Sequence, residues 1–188
     1  AEGARLLIGV RCFAAGWLLA AAAISTPTIA DEPPIGQAAS DLIALTRETD
    51  TAYSVVHWNR IELSDGTVVA QWAAEFHDRN LHRVETPYDR LIADCAAMTG
   101  TRHNLVTGEM TTGAQVAREA CGIQANSEIL SAEIKGRRTT RFGPVTHIVI
   151  RDPEHIRTYD VADSGALLAA TISDIDGKRK LTNWAVRY

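Results

Sequence analysis

Six histidines are the side chains best suited to acid–base or metal chemistry in this chain, and their spacing brings few of them together. His77 and His82 stand five apart across a turn, a spacing that neither a helix nor one strand face converges on a metal ion, and they read as solvated turn residues. His57 lies in an alternating stretch beside Trp58 and reads as a cross-strand histidine with its hydrogen bonds satisfied. Asp174, Asp176 and Gly177 look superficially like a calcium loop, but such a loop needs a glutamate at its twelfth position, and an Asp-Gly hairpin turn explains them better. There is no G-x-S-x-G, no H-E-x-x-H, no phosphate-cradling glycine loop and no paired-carboxylate signature. The expectation is therefore no catalytic set, no metal, no cofactor, and a protein that is not an enzyme.

The elements that would position any site begin with a leader. Arg5 and Arg11 precede an apolar stretch over 12–24, and 25–30 is a small-residue exit, the tripartite pattern of a secretory signal peptide. The expected division is a signal peptide over 1–30, cut after Ala30, and one exported β-rich domain over 31–188. A retained anchor would want nearer 20 apolar residues. The protein is thus expected to be periplasmic or secreted. Of the three cysteines, removal of Cys12 leaves Cys95 and Cys121, an even pair in an oxidising compartment. A disulfide is the reading preferred over a zinc site, which would have to recruit His103 or His77, and over a catalytic thiol. Closing that loop removes about 3.6 kcal/mol of denatured-state freedom on the chain-entropy model.

Hydrophobic residues are 46% and charged residues 22% of 188, the composition of a soluble globular domain, and a net charge of −4 carries no basic nucleic-acid footprint. No nucleic-acid partner is expected. Two basic groups, Lys178-Arg179-Lys180 and Lys135, Arg137, Arg138, Arg141, read first as solvated strand ends and second as peripheral contacts with anionic lipid headgroups. From Ala38, apolar positions recur at helical spacing and predict one substantial amino-terminal helix ending near 46–50. Beyond it the period changes to two. Alternating segments separated by Ser64-Asp65-Gly66, Asp78-Arg79-Asn80, Thr107-Gly108-Glu109, Asp152-Pro153, Asp163-Ser164-Gly165 and Asp176-Gly177 predict about ten strands, with at most one or two helical turns over 113–122. Val68, Ala70, Trp72, Ala74 and Phe76 alternate on one face of the second strand, which is the face expected to be buried. The fold expected is mainly β (α+β), a curved antiparallel β-sheet or half-barrel with one amino-terminal helix.

Leu81-His82-Arg83-Val84-Glu85-Thr86-Pro87 followed by Leu91-Ile92-Ala93-Asp94, together with Leu105-Val106-Thr107-Gly108-Glu109 and Arg157-Thr158-Tyr159-Asp160, resembles the periplasmic lipoprotein-carrier family with the LolA/LolB-like fold. Cys95 stands where that family has glycine, and Leu105-Val106-Thr107 replaces its aromatic-Asp turn. The resemblance implies a curved sheet whose concave side, closed by helices, holds acyl chains. On that reading the protein is a cell-envelope carrier or binding protein for lipid or lipoprotein acyl chains, and its partner is a lipid or lipidated protein. Trp58, Trp72, Phe76 and Met110 are then the candidate apolar lining. The alternative is a β-rich envelope interaction or sensor domain that binds another envelope protein without lipid cargo.

Overall fold

The computed structural model describes residues 35–123 and 128–188; the predicted signal peptide lies outside them. Residues 32–188 form a compact unit of their own. Helix α1 (Gln37–Glu48) leads into six strands: β1 (Tyr53–Leu63), β2 (Val68–Asp78), β3 (Leu81–Glu85), β4 (Asp89–Asp94), β5 (Thr99–Asn104) and β6 (Met110–Thr112). Helix α2 (Ala114–Ala120) follows. Five strands complete the chain: β7 (Ser131–Thr140), β8 (Gly143–Arg151), β9 (His155–Ala162), β10 (Leu167–Asp174) and β11 (Arg179–Arg187).

All eleven strands form one antiparallel, unclosed, curved sheet in the order β6-β5-β4-β3-β2-β1-β11-β10-β9-β8-β7. The chain walks outward from β1 to one edge, passes through α2, and returns from the other edge until β11 pairs with β1. Register shifts at Val56/His57, Ile134/Gly136 and Leu167/Ala169 interrupt three ladders, and such bulges raise local twist and bend a sheet. One strand more is present than the sequence predicts. β6 has only three residues, too short for a period of two to register, and α2 has two turns where the glycine-flanked segment promised one or two.

Both helices pack on the same side, the inner face. Ala39 and Ile43 of α1 bury against Ile148, Ile150, Tyr159 and Val161. Val116, Ala117 and Ala120 of α2 bury against Leu91, Ala93 and the Cys95–Cys121 disulfide, whose Cα atoms are 5.6 Å apart. The two helix ends meet through Thr46, which donates to the Ile43 carbonyl at 2.8 Å and accepts the Ile123 amide at 3.0 Å. Gly122 makes this approach feasible. Its φ is +62°, and a Cβ built there would fall 2.5 Å from the Thr46 carbonyl oxygen.

Candidate functional site

Strand pairing fixes which side chains share the inner face, because residues directly opposite in a ladder point the same way. Three rows matter. Nearest the covered end, Tyr53, His77 and His82 are in register across β1, β2 and β3, and Val55, Glu75 and Val84 form the next row. Farther along come Asn59, Gln71, Asn183 and Ala170, and then Val69, Ile61, Leu181 and Ile172.

The first group is a buried polar network. Glu75 Oε1 lies 2.8 Å from His82 Nε2 and accepts from the Tyr53 hydroxyl at 3.3 Å, while Oε2 is 3.9 Å from His57 Nδ1. The His82 contact is close but poorly aligned for an N–H bond. His77 Nδ1 and His82 Nδ1 are 3.2 Å apart, His77 Nε2 is 2.9 Å from the Thr49 carbonyl, and His57 Nε2 is 2.7 Å from the Leu167 carbonyl. A carbonyl can only accept, so His77 donates from Nε2 to Thr49, and one N–H is shared between the facing Nδ1 atoms of His77 and His82. Burial pushes the Glu75 carboxyl upward, but the His82 contact, the His57 charge and the Tyr53 hydroxyl outweigh it and hold it below its ordinary value. Burial beside that carboxylate drives the Tyr53 hydroxyl far upward, so it stays a neutral donor. His77 stacks on Tyr53 with ring centroids 5.0 Å apart. The network is closed to solvent, with His82 1% and His77 2% exposed. Its chemistry is that of a satisfied core, and it anchors the carboxy-terminal end of α1 to β2 and β3.

The expectation that His77 and His82 are solvated turn residues is therefore corrected. A two-residue turn at Arg79 and Asn80 places them directly opposite each other, and that register is the signal the sequence held. Among the described residues, no group of three or more His, Cys, Asp or Glu is placed to hold a metal ion.

The open part of the inner face lies over the central strands. α2 packs on β3–β6 and α1 on β7–β9, and the buried cluster under neither helix includes a residue of β1, β2 or β11. There Ile172, Leu181, Ile61 and Val69 make an apolar row across four strands, about 14 Å long at the usual strand spacing. The first three are half-buried and Val69 is exposed. Beside the row, Asn183 Nδ2 donates to Asn59 Oδ1 at 2.7 Å. Asn183 Oδ1 is buried and meets no partner among the described residues.

The sequence-predicted lining falls elsewhere. Trp72 and Phe76 alternate as expected, but on the outer face: Trp58, Trp72 and Phe76 are 40%, 41% and 40% exposed, and Met110 on β6 is 63% exposed. The inner face of β2 includes Gln71, Ala73, Glu75 and His77, of which Glu75 and His77 have partners on other strands and on the segment after α1. Counting apolar residues thus chose the wrong side. Trp72→Ala is accordingly expected to lower stability by less than about 1.5 kcal/mol, against about 3 to 5 for a ring in a packed core. The denaturant midpoint measures it, and a loss in the upper range would put Trp72 back in the core.

The two basic groups are solvated but not free. Lys135 pairs with Glu133, Arg137 with Asp163, Arg138 with Asp160, Lys178 with Asp176 and Arg179 with Asp174. Arg141 instead donates to the Ala185 and Val186 carbonyls.

A mainly antiparallel half-barrel with its helices on one face, a disulfide under the second helix and an open apolar row at its centre is the class of protein that this geometry defines. Its likenesses among solved structures are of the same kind. An uncharacterised conserved protein from Thermus thermophilus superposes with a TM-score of 0.54 at 11% identity, over 80% of this chain and 86% of that one, and shares the fold. A LolA superfamily protein from Nitrosomonas europaea matches with a TM-score of 0.41 at 6% identity, over 78% and 90% of the two chains. A DUF1329 family protein from Desulfovibrio piger matches with a TM-score of 0.39 at 8% identity, over 83% and 94%. No family model and no curated protein matches the chain.

Proposed function

We propose that the protein is a cell-envelope binding protein that holds an acyl chain of a lipid or lipidated protein on the open inner face of its sheet. The observation that carries the reading is the row Ile172, Leu181, Ile61 and Val69, on strands that lie outside the buried clusters of both described helices apart from partly buried Ala170 and Leu167 of β10. Apolar side chains on an uncovered inner face gain about 25 cal/mol for each Å² they lose to an apolar ligand. An acyl chain laid across the strands meets all four. The disulfide fits an oxidising compartment outside the cytoplasm. No helix among the described residues is long and apolar enough to cross a membrane.

A fluorescent fatty acid titrated into the 32–188 unit tests the reading. Binding is expected in the parent. Replacing both Ile61 and Leu181 by aspartate is expected to weaken it at least about tenfold, since each buried aliphatic contributes about 1.5 to 3 kcal/mol and about 1.4 kcal/mol is a factor of ten. Absence of uptake by the parent, or unchanged uptake by the double variant, overturns the proposal in favour of an interaction domain without lipid cargo.

A further inference from the structure

The open apolar row runs into a charged cleft at the turn end of the sheet. Two residues beyond Ile172, Leu181 and Ile61, and so on the same face about 7 Å further along, stand Asp174, Arg179 and Leu63, with His155 in register with Asp174. There the β8–β9 and β10–β11 turns frame a cavity of about 530 Å³ whose walls include Glu154, His155, Asp174, Asp176, Lys178 and Arg179, a volume in the range of small-molecule sites. Its frame is fixed from below. The buried carboxylate of Asp152 accepts from the Glu154 and His155 amides at 2.9 and 2.7 Å, stands 3.1 Å from His155 Nδ1 and is paired with buried Arg157 at 3.0 Å. A carboxylate accepts, so His155 donates from Nδ1 and leaves Nε2 on the Asp174 side, 3.5 Å away. The Ile175 amide donates to the Glu154 carbonyl and the Ser64 amide to the Lys178 carbonyl, both at 2.9 Å, which ties the β8–β9, β10–β11 and β1–β2 turns together.

The charges of the walls select the occupant. Asp174 pairs with Arg179 at 3.5 Å and Asp176 with Lys178 at 2.7 Å, and both cations are more than half exposed, so these pairs are weak and exchange readily with a ligand. Glu154 is exposed and has no ion pair among the described residues. Lys180 is in register with Glu62 on the opposite face, and Arg157 is spent on Asp152, so neither adds a cation to the cleft. Asp65, next to the Ser64 tie, adds a further carboxylate on the neighbouring turn. The walls thus hold three carboxylates against two fixed cations, one negative charge in excess, while still presenting a guanidinium and an ammonium to an anion. A purely anionic head would meet Glu154 as a like charge. A head that joins a phosphate to a primary ammonium answers both signs. We propose that the cleft receives the phosphoethanolamine head of an ethanolamine phospholipid, its ammonium among Glu154, Asp174 and Asp176 and its phosphate on Lys178 and Arg179, with one acyl chain leaving over Ile172 along the apolar row. The proposal rests on the acyl-chain reading of the inner face and names the lipid class for it.

The test displaces the fluorescent fatty acid from the 32–188 unit with lysophosphatidylethanolamine or with lysophosphatidylglycerol of the same acyl chain, each kept below the concentration at which it forms micelles. The two probes share chain and phosphodiester and differ only in an ammonium against a glycerol. Lysophosphatidylethanolamine is expected to bind about fivefold or more tighter. Glu154→Gln with Asp176→Asn, both at exposed positions, is expected to bring the ratio of the two affinities to about one, with an unchanged urea midpoint. Should that double variant misfold, Glu154→Gln alone, whose side chain has no ion pair to lose, is expected to reduce the preference at least about twofold. A parent that binds the fatty acid but shows no preference between the lysolipids, a preference for lysophosphatidylglycerol, or a folded double variant that keeps the parent's preference overturns the head assignment and leaves the acyl row standing. A parent that takes up neither fatty acid nor lysolipid overturns both.

Discussion

Replacing His82 by leucine is expected to destabilise the protein by about 3 to 5 kcal/mol, the largest effect expected of any single substitution. The leucine fills a similar volume but removes the partner of Glu75, whose side chain is only 14% exposed, and breaking a buried pair leaves an uncompensated charge. It also removes the hydrogen-bond partner of His77 Nδ1, 3.2 Å away, and so loosens the hold of His77 on the Thr49 carbonyl at the end of α1. The double substitution His82→Leu with Glu75→Leu should cost less than the sum of the two single ones, because no lone charge remains. Urea midpoints of the three variants measure the coupling. Single losses below about 1 kcal/mol would show that the network is ornamental to stability. The pH dependence has a definite sign. Glu75 is held below its ordinary value in the folded protein, so its contribution is fully present above the unfolded carboxylate range near about pH 4.3 and is lost as pH falls through the folded value.

Removing the disulfide is expected to cost nearly as much. Cys95 ends the β4 side of its hairpin and Cys121 caps α2, so the bridge ties a two-turn helix to the strand it covers. Such a helix has little stability of its own. Cys95→Ala with Cys121→Ala should lower unfolding free energy by about 3.6 kcal/mol on the chain-entropy model, and amide exchange should rise first in α2. Thiol titration of the denatured, unreduced 32–188 unit is expected to find no free thiol. Two free thiols would remove the bridge and with it this prediction.

Much of the fold was legible from local pattern. The change of period after Thr46, the Ser64-Asp65-Gly66 turn and the long alternation of β1 and β2 gave the helix, the meander and the strand limits nearly as they stand. The side of the sheet that becomes interior was not legible. In β2 the apolar residues Val68, Trp72 and Phe76 outweigh Gln71, Glu75 and His77, yet the polar set is inside. Its burial depends on Tyr53, His57, His82 and Thr49, partners brought in by tertiary register rather than by local sequence. The candidate site suffered for the same reason. Ile61, Val69, Ile172 and Leu181 lie on four strands drawn from the two ends of the domain, and only the pairing of β11 with β1 brings the two halves of the row together. The disulfide needed no such information, since parity of the cysteines after the expected leader sufficed.

Native mass spectrometry of protein purified gently from its own envelope tests whether the inner face holds an acyl chain. A population heavier than the polypeptide by the mass of a lipid or acyl group is expected, diminished when Ile61 and Leu181 are both aspartate. A polypeptide that always carries its bare mass, and takes up no fatty acid when one is supplied, would contradict it.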